Sequence, residues 1–165
     1  MKTGKGAYVT SNPTEGVVSI KLWKVDYEEI LEIKFFLERC IVEELCSRAR
    51  ELDFTEVENT LKQMEDAAKD GVYLQKLDYL FHDRLRKMTS NSALEQLLGN
   101  LTKTIDSFYV SVLTGVDHIW ISTLPFHREM LEGIRECDKE KASNACMQIF
   151  KTDLYAIHLK EEYDL

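Results

Sequence analysis

From residue 26 onward the apolar residues recur every three or four positions, and short polar or glycine-containing breaks divide the pattern into successive helical segments. Asp26 and Glu29 have capping-box spacing, and Tyr27, Ile30, Leu31, Phe35, Leu37, Ile41, Leu45 and Ala49 keep a helical period to about residue 50. A second helix opens at Asp53 or Thr55, where Thr55 and Glu58 repeat that spacing. It carries Val57, Leu61, Met64 and Ala68 and ends at Asp70-Gly71. The third, over 72–89, has Leu74, Leu77, Phe81, Leu85 and Met88 as its stripe. Asn91-Ser92 caps a fourth helix with Leu94, Leu97, Leu98, Leu101, Ile105, Phe108 and Val112 inward, broken at Thr114-Gly115. The fifth runs from Asp117 to Cys137 with Ile119, Trp120, Leu124, Met130, Leu131 and Ile134. Pro125 either kinks it or marks its true first turn. The sixth opens at Asp138 and carries Ala142, Ala145, Cys146, Ile149, Leu154 and Ile157. The expected fold class is all-α, an antiparallel bundle of six to seven helices.

Residues 1–25 break this pattern. Gly4-Lys5-Gly6-Ala7-Tyr8-Val9-Thr10 is glycine-rich and then β-prone, and Ser11-Asn12-Pro13-Thr14-Glu15-Gly16 is turn-forming, so the stretch reads as the last strand of something plus a linker. A single short strand is not stable unpaired, and a frayed tail is the plainer alternative. The helical part, 26–165, is long enough for one domain with a full core at 165 residues in all.

Composition narrows the function classes. A net charge of −8 argues against a nucleic-acid-binding surface on this chain alone, because phosphate contacts need clustered Lys and Arg. Cys40, Cys46, Cys137 and Cys146 show no C-x-x-C spacing and read as buried free thiols in a reducing compartment. No apolar run approaches a membrane span and no signal peptide opens the chain, so a cytoplasmic, soluble protein is expected.

One polar pair changes the picture. Asp78 and His82 are four residues apart within the third helix and project from one face, at the edge of the stripe set by Leu77 and Phe81. A carboxylate and an imidazole so placed are a ligand pair, and His127 on a later helix is the strongest further partner. A hydrogen-bonded pair lining an apolar pocket is the metal-free alternative. His118 and His158, near helix ends, read as solvated, and Trp23, Trp120, Tyr109 and Tyr155 as core or interface residues.

The order and spacing of these landmarks resemble a family. Leu31-Glu32-Ile33-Lys34 followed by Leu37-Glu38, Asp78-x-x-Phe81-His82, Asn91, and His127-Arg128 leading through Ile134 to Asp138 and Ala142 resemble the FadR-type C-terminal effector-binding domain of GntR-family transcription regulators, over about Leu31 to Leu159. The resemblance implies a bundle of six or seven helices. It also implies that residues 4–9 are the end of the wing of a winged helix-turn-helix domain that is otherwise absent here.

What the resemblance implies for the site is a divalent metal, zinc or nickel foremost, held by Asp78, His82 and His127, with open positions for a small carboxylate effector. A fourth family ligand falls near Ile149, which cannot bind metal; Cys146 and Asp153 lie on the same helix face and could substitute for it only if that helix shifted. Lys34 stands where many members have an arginine facing the ligand and could pair with the effector carboxylate, while a snorkelling surface lysine is the alternative. Arg128 is expected in a structural ion pair, with Glu38 as the candidate partner. The implied function is a non-enzymatic ligand-sensing and dimerisation domain, reaching DNA only through the missing head. Rivals are a small metalloenzyme using a two-His, one-Asp site and a metal-free helical interaction bundle; against the enzyme, no His-Glu-x-x-His is present and Glu129 turns away from His127.

Overall fold

The computed structural model describes residues 27–112 and 117–163, which form seven α-helices and no strand among the described residues. They are α1 (Tyr27–Arg48), α2 (Thr55–Lys69), α3 (Gln75–Lys87), α4 (Ser92–Val112), α5 (Asp117–Ile121), α6 (Leu124–Glu136) and α7 (Lys139–Tyr163), with a 3-10 turn at Ala49–Glu51. The glycine-rich strand, the Ser11–Gly16 turn, Trp23, the Asp26 cap, the Thr114-Gly115 break and the side chains of Ile105, Phe108, Tyr109 and Val112 lie outside the described residues.

The expected fifth helix is two helices. Pro125 sits in the first turn of α6, where its missing N–H costs nothing, so it starts a helix instead of kinking one. At the second helix, the Thr55–Glu58 capping box is replaced by a different device: Asp53 Oδ1 accepts from the Thr55 N–H at 2.9 Å and its hydroxyl at 2.6 Å. Two other caps match the expectation, with Asn91 Oδ1 accepting from Leu94 N–H and Asp138 Oδ1 from Lys141 N–H, each at 3.0 Å. Gly71, at φ +71°, closes α2: its N–H bonds the Ala68 carbonyl and that of Val72 bonds Ala67, a Schellman pair. The same pair closes α6 through Cys137, whose φ of 62° is adopted by a non-glycine residue.

Helix α7 packs along both α1 and α6, and the main core gathers Phe35, Leu45, Leu61, Phe81, Met130, Leu131, Ile134 and Ile149. Gly133 lets α6 come close to α7, since a Cβ there would stand 2.7 Å from the Ala142 backbone nitrogen. Phe35 stacks on Phe150 with ring centroids 4.7 Å apart, joining α1 to α7. Leu74, expected on the third stripe, is instead exposed just before α3 begins. The thiols divide: none is in a disulfide, Cys46 and Cys146 are buried, and Cys40 and Cys137 are exposed, contrary to the expectation that all are buried. No described helix is long and apolar enough to cross a membrane.

Candidate metal and effector site

Helices α3 and α6 bring three of the expected residues together. One ligand atom from each of Asp78, His82 and His127 lies within 4.8 Å of the others. His127 Nε2 is 3.0 Å from Asp78 Oδ1 and 3.1 Å from His82 Nε2, and His82 Nε2 is 4.0 Å from Asp78 Oδ1. The i, i+4 spacing on α3 places Asp78 and His82 one turn apart on one face, as their positions require. His127 reaches them from the first turn of α6, which Pro125 initiates. Its side chain is 1% exposed, against 12% for His82 and 25% for Asp78, so the site runs from the core to its rim.

Packing and hydrogen bonds fix both rings. Phe81, fully buried, meets the His82 ring edge-on at 5.4 Å and the His127 ring at 5.2 Å. His127 Nδ1 is 2.9 Å from the Thr123 carbonyl oxygen, which also accepts the His127 backbone N–H at 3.1 Å. A carbonyl oxygen only accepts, so the ring proton sits on Nδ1 and the lone pair of Nε2 faces Asp78 and His82. On the other ring, His82 Nδ1 is 3.5 Å from Glu38 Oε1, the side on which a carboxylate orients a metal-binding imidazole. His82 Nε2, on the opposite side of the ring, faces His127 and Asp78. One carboxylate oxygen and two ring nitrogens thus converge, and a proton or a cation between them relieves the repulsion of their lone pairs.

The ionisation shifts follow from that crowding. Burial pushes Asp78 toward its neutral form, but the His127 hydrogen bond and the nearby His82 outweigh it, and its carboxyl is held well below the usual range. Burial pushes His82 down to about 4 despite Glu38 and Asp78. Burial also opposes charge on His127, yet the bond to Asp78 wins and its net shift is upward.

The donor set fits a divalent ion. Bonds of about 2.1 Å to ligands at right angles or tetrahedrally disposed place the ligand atoms roughly 3.0–3.4 Å apart. Two of the three separations, 3.0 and 3.1 Å, match, and the 4.0 Å edge between His82 and Asp78 is the one that has to tighten. Two imidazoles and one carboxylate suit a borderline metal and leave coordination positions open.

Behind these three residues lies a charged group that their spacing in the sequence only partly foreshadows. Lys34 Nζ is 3.1 Å from Glu38 Oε1 and 3.8 Å from Asp153 Oδ2, with the three side chains 11–12% exposed. Lys34 is thus buried at the site and is no snorkelling surface lysine. Asp153, expected to replace the fourth ligand only if its helix shifted, is not among the three converging residues and pairs instead with Lys34 from α7. The role of Glu38 beside His82 was missed; its i, i+4 spacing from Lys34 was the available signal. Arg128 does not pair with Glu38. Its Nε and Nη2 hold Glu65 in a two-bond fork at 2.9 Å each and its Nη1 meets Glu58 at 2.5 Å, tying α6 to α2 beside His127. His118 is exposed, and the exposed His158 bonds Glu28 at 2.5 Å, so neither joins the site. Trp120 is buried near Tyr73, whereas Tyr155 is exposed at 56%.

Comparison with known proteins places this geometry in a family. The FCD domain profile matches residues 29–152, most of the chain. The chain belongs to the FCD domain family. The HTH-type transcriptional regulator LutR of Bacillus subtilis (strain 168) is 25% identical over 128 residues, covering 73% of this chain and 56% of that relative. The chain therefore spans about half the length of the curated relative it matches. Membership in the FCD family puts the chain among the ligand-sensing regulatory domains of GntR-family transcription regulators.

Proposed function

We propose that this FCD domain senses a small organic acid through a divalent metal, zinc or nickel, held by Asp78, His82 and His127, with Lys34 facing the effector's carboxylate. The observation that carries this reading is the convergence of Asp78 Oδ1, His82 Nε2 and His127 Nε2, with the Nδ1 of His127 against the Thr123 carbonyl and the Nδ1 of His82 toward Glu38. When bound, the ion supplies open positions for a carboxylate; the chain's residues orient the rings and place the Lys34 ammonium behind them. The sensor is read as a cytoplasmic homodimer that reaches DNA through a winged helix-turn-helix domain, with residues 1–25 as wing remnant and linker to the effector domain at 26–165. The sequence match to a transcription regulator supports the DNA link, and Ile33 and Phe36, 44% and 60% exposed on neighbouring turns of α1, support a dimer surface.

Effector binding then acts on α1, which carries Lys34 and Glu38 and follows directly on the linker. The test is calorimetric titration of Zn2+ and Ni2+ into metal-stripped protein. One ion per chain is expected for the wild type, and a loss of at least tenfold in affinity, about 1.4 kcal/mol, for His82→Ala and His127→Ala with the helical content retained. Unchanged affinity in both variants contradicts the assignment. Stabilisation by organic acids without turnover separates the sensor from a metalloenzyme.

A further inference from the structure

We propose that the Lys34–Asp153 ion pair between α1 and α7 occupies the place of the effector's carboxylate, so that a carboxylate binds by displacing Asp153 from the Lys34 ammonium. The inference rests on the sensor reading above and adds a built-in competitor to it.

The ammonium is held unequally. Glu38 Oε1 is 3.1 Å from Lys34 Nζ and also 3.5 Å from His82 Nδ1, so this carboxylate is engaged by the ligand set and by the lysine together. Asp153 Oδ2 stands at 3.8 Å, a Coulombic contact beyond hydrogen-bond length. An ammonium has three donors, and a carboxylate at hydrogen-bond distance is a better partner for one of them than Asp153 in this position. Asp153 lies within α7, far from either end, so its carboxylate neither caps the helix nor complements its dipole. A buried carboxylate with no helix-capping task and a long contact to one lysine is poised to be exchanged for another.

Charge balance points the same way. Asp78, Glu38 and Asp153 bring three negative charges to the cluster and Lys34 one positive charge, leaving two negatives when both imidazoles are neutral. A divalent ion neutralises that excess. A further anion then overcharges a buried site unless one carboxylate withdraws or takes up a proton. Asp153 is the one suited to it, because Asp78 and Glu38 are each engaged with a histidine of the site, whereas the contact of Asp153 to Lys34 is the longer of the two ion pairs to that ammonium. Exchange of partners at Lys34 releases a contact between α1 and α7, which couples effector binding to the helix that follows the linker.

The experiment titrates acetate, the smallest carboxylate, into Zn2+-saturated full-length chain and reads binding by calorimetry and by thermal shift. Asp153→Asn, and Asp153→Ala in case the asparagine carbonyl keeps hold of the ammonium, are expected to bind acetate at least about fivefold more tightly than wild type, while Lys34→Gln binds it about tenfold more weakly. Circular dichroism melts show that each variant is folded. Acetate affinity that is unchanged or lower in both Asp153 variants overturns the displacement. If Lys34→Gln and His127→Ala still weaken acetate binding in that case, the sensor reading stands without it. If acetate binding is absent, or indifferent to all four variants, both readings fall.

Discussion

At the scale of single residues, His127 fixes what the site can be. Its Nδ1 lies against the Thr123 carbonyl, which leaves Nε2 to face Asp78 and His82, where it can hold a proton against the carboxylate or share a cation with both. Glu38 stands beside the Nδ1 of His82 at 3.5 Å, a charge contact rather than a hydrogen bond, and its carboxylate favours that ring orientation. Glu38→Gln is therefore predicted to weaken Zn2+ binding by about 10–100-fold in calorimetric titration, without change in helical content. Equal affinity in that variant means that the Glu38 carboxylate does not orient His82. A second residue-level prediction concerns Cys137, which holds φ at 62° with a Cβ. Glycine adopts that conformation without the steric penalty, so Cys137→Gly is predicted to stabilise the fold by about 1 kcal/mol, seen as a higher melting temperature. The Asp78–His82 pair was legible in the sequence because helical spacing alone puts both on one face. The partner of Arg128 was not, because it depends on α2 lying beside α6, and Glu58 and Glu65 are far from it in sequence. The pairing of Asp153 with Lys34 was not legible for a related reason: it depends on α7 lying along α1.

At the scale of elements, two devices hold the site's helices in register. Gly133 lets α6 meet α7 closely, and a Cβ there collides with Ala142 backbone atoms that cannot rotate aside. Gly133→Ala is predicted to destabilise the domain by about 1–3 kcal/mol in denaturant titration. An unchanged midpoint means that the helices separate freely. The second device is Glu44 on α1, which accepts hydrogen bonds from Ser90 N–H at 2.8 Å, Ser90 Oγ at 2.7 Å, Arg48 Nη1 at 3.1 Å and the Thr89 hydroxyl, clamping the turn between α3 and α4. Burial works against its charge, but these bonds prevail and hold its carboxyl at about 2. A carboxyl depressed in the folded state stabilises above its unfolded value of about 4.3, and the contribution is lost as pH falls toward about 2. Thermal melts at stepped pH should show the wild type losing about 1–2 kcal/mol more than Glu44→Gln between pH 5 and pH 2. Parallel curves contradict the clamp. Helix existence was legible from periodicity throughout. The boundaries were less so at Pro125, where the sequence allows a kink or a start, and at Thr55, where the hydrogen-bonding oxygen belongs to Asp53 two residues earlier.

At the scale of the whole molecule, the chain is an acidic FCD domain of net charge −8, helical among the described residues, and that charge is a poor match for phosphate contacts. The dimer reading makes its own prediction. Phe36→Glu on the exposed face of α1 should shift the chain toward monomer in sedimentation analysis, and an unshifted dimer moves the interface elsewhere. The overall class was legible because its landmarks are spread along the chain in order. The state of the site was less legible, because Ile149 removes the expected fourth ligand while the Lys34–Glu38–Asp153 group is assembled only by folding α1 against α7. The account rests on a cation between Asp78, His82 and His127. Elemental analysis of protein purified without a metal-affinity column tests this most directly. About one zinc or nickel per chain in the wild type, and almost none in His127→Ala, is the predicted result; a metal-free wild type that also fails to take up either ion on addition contradicts it.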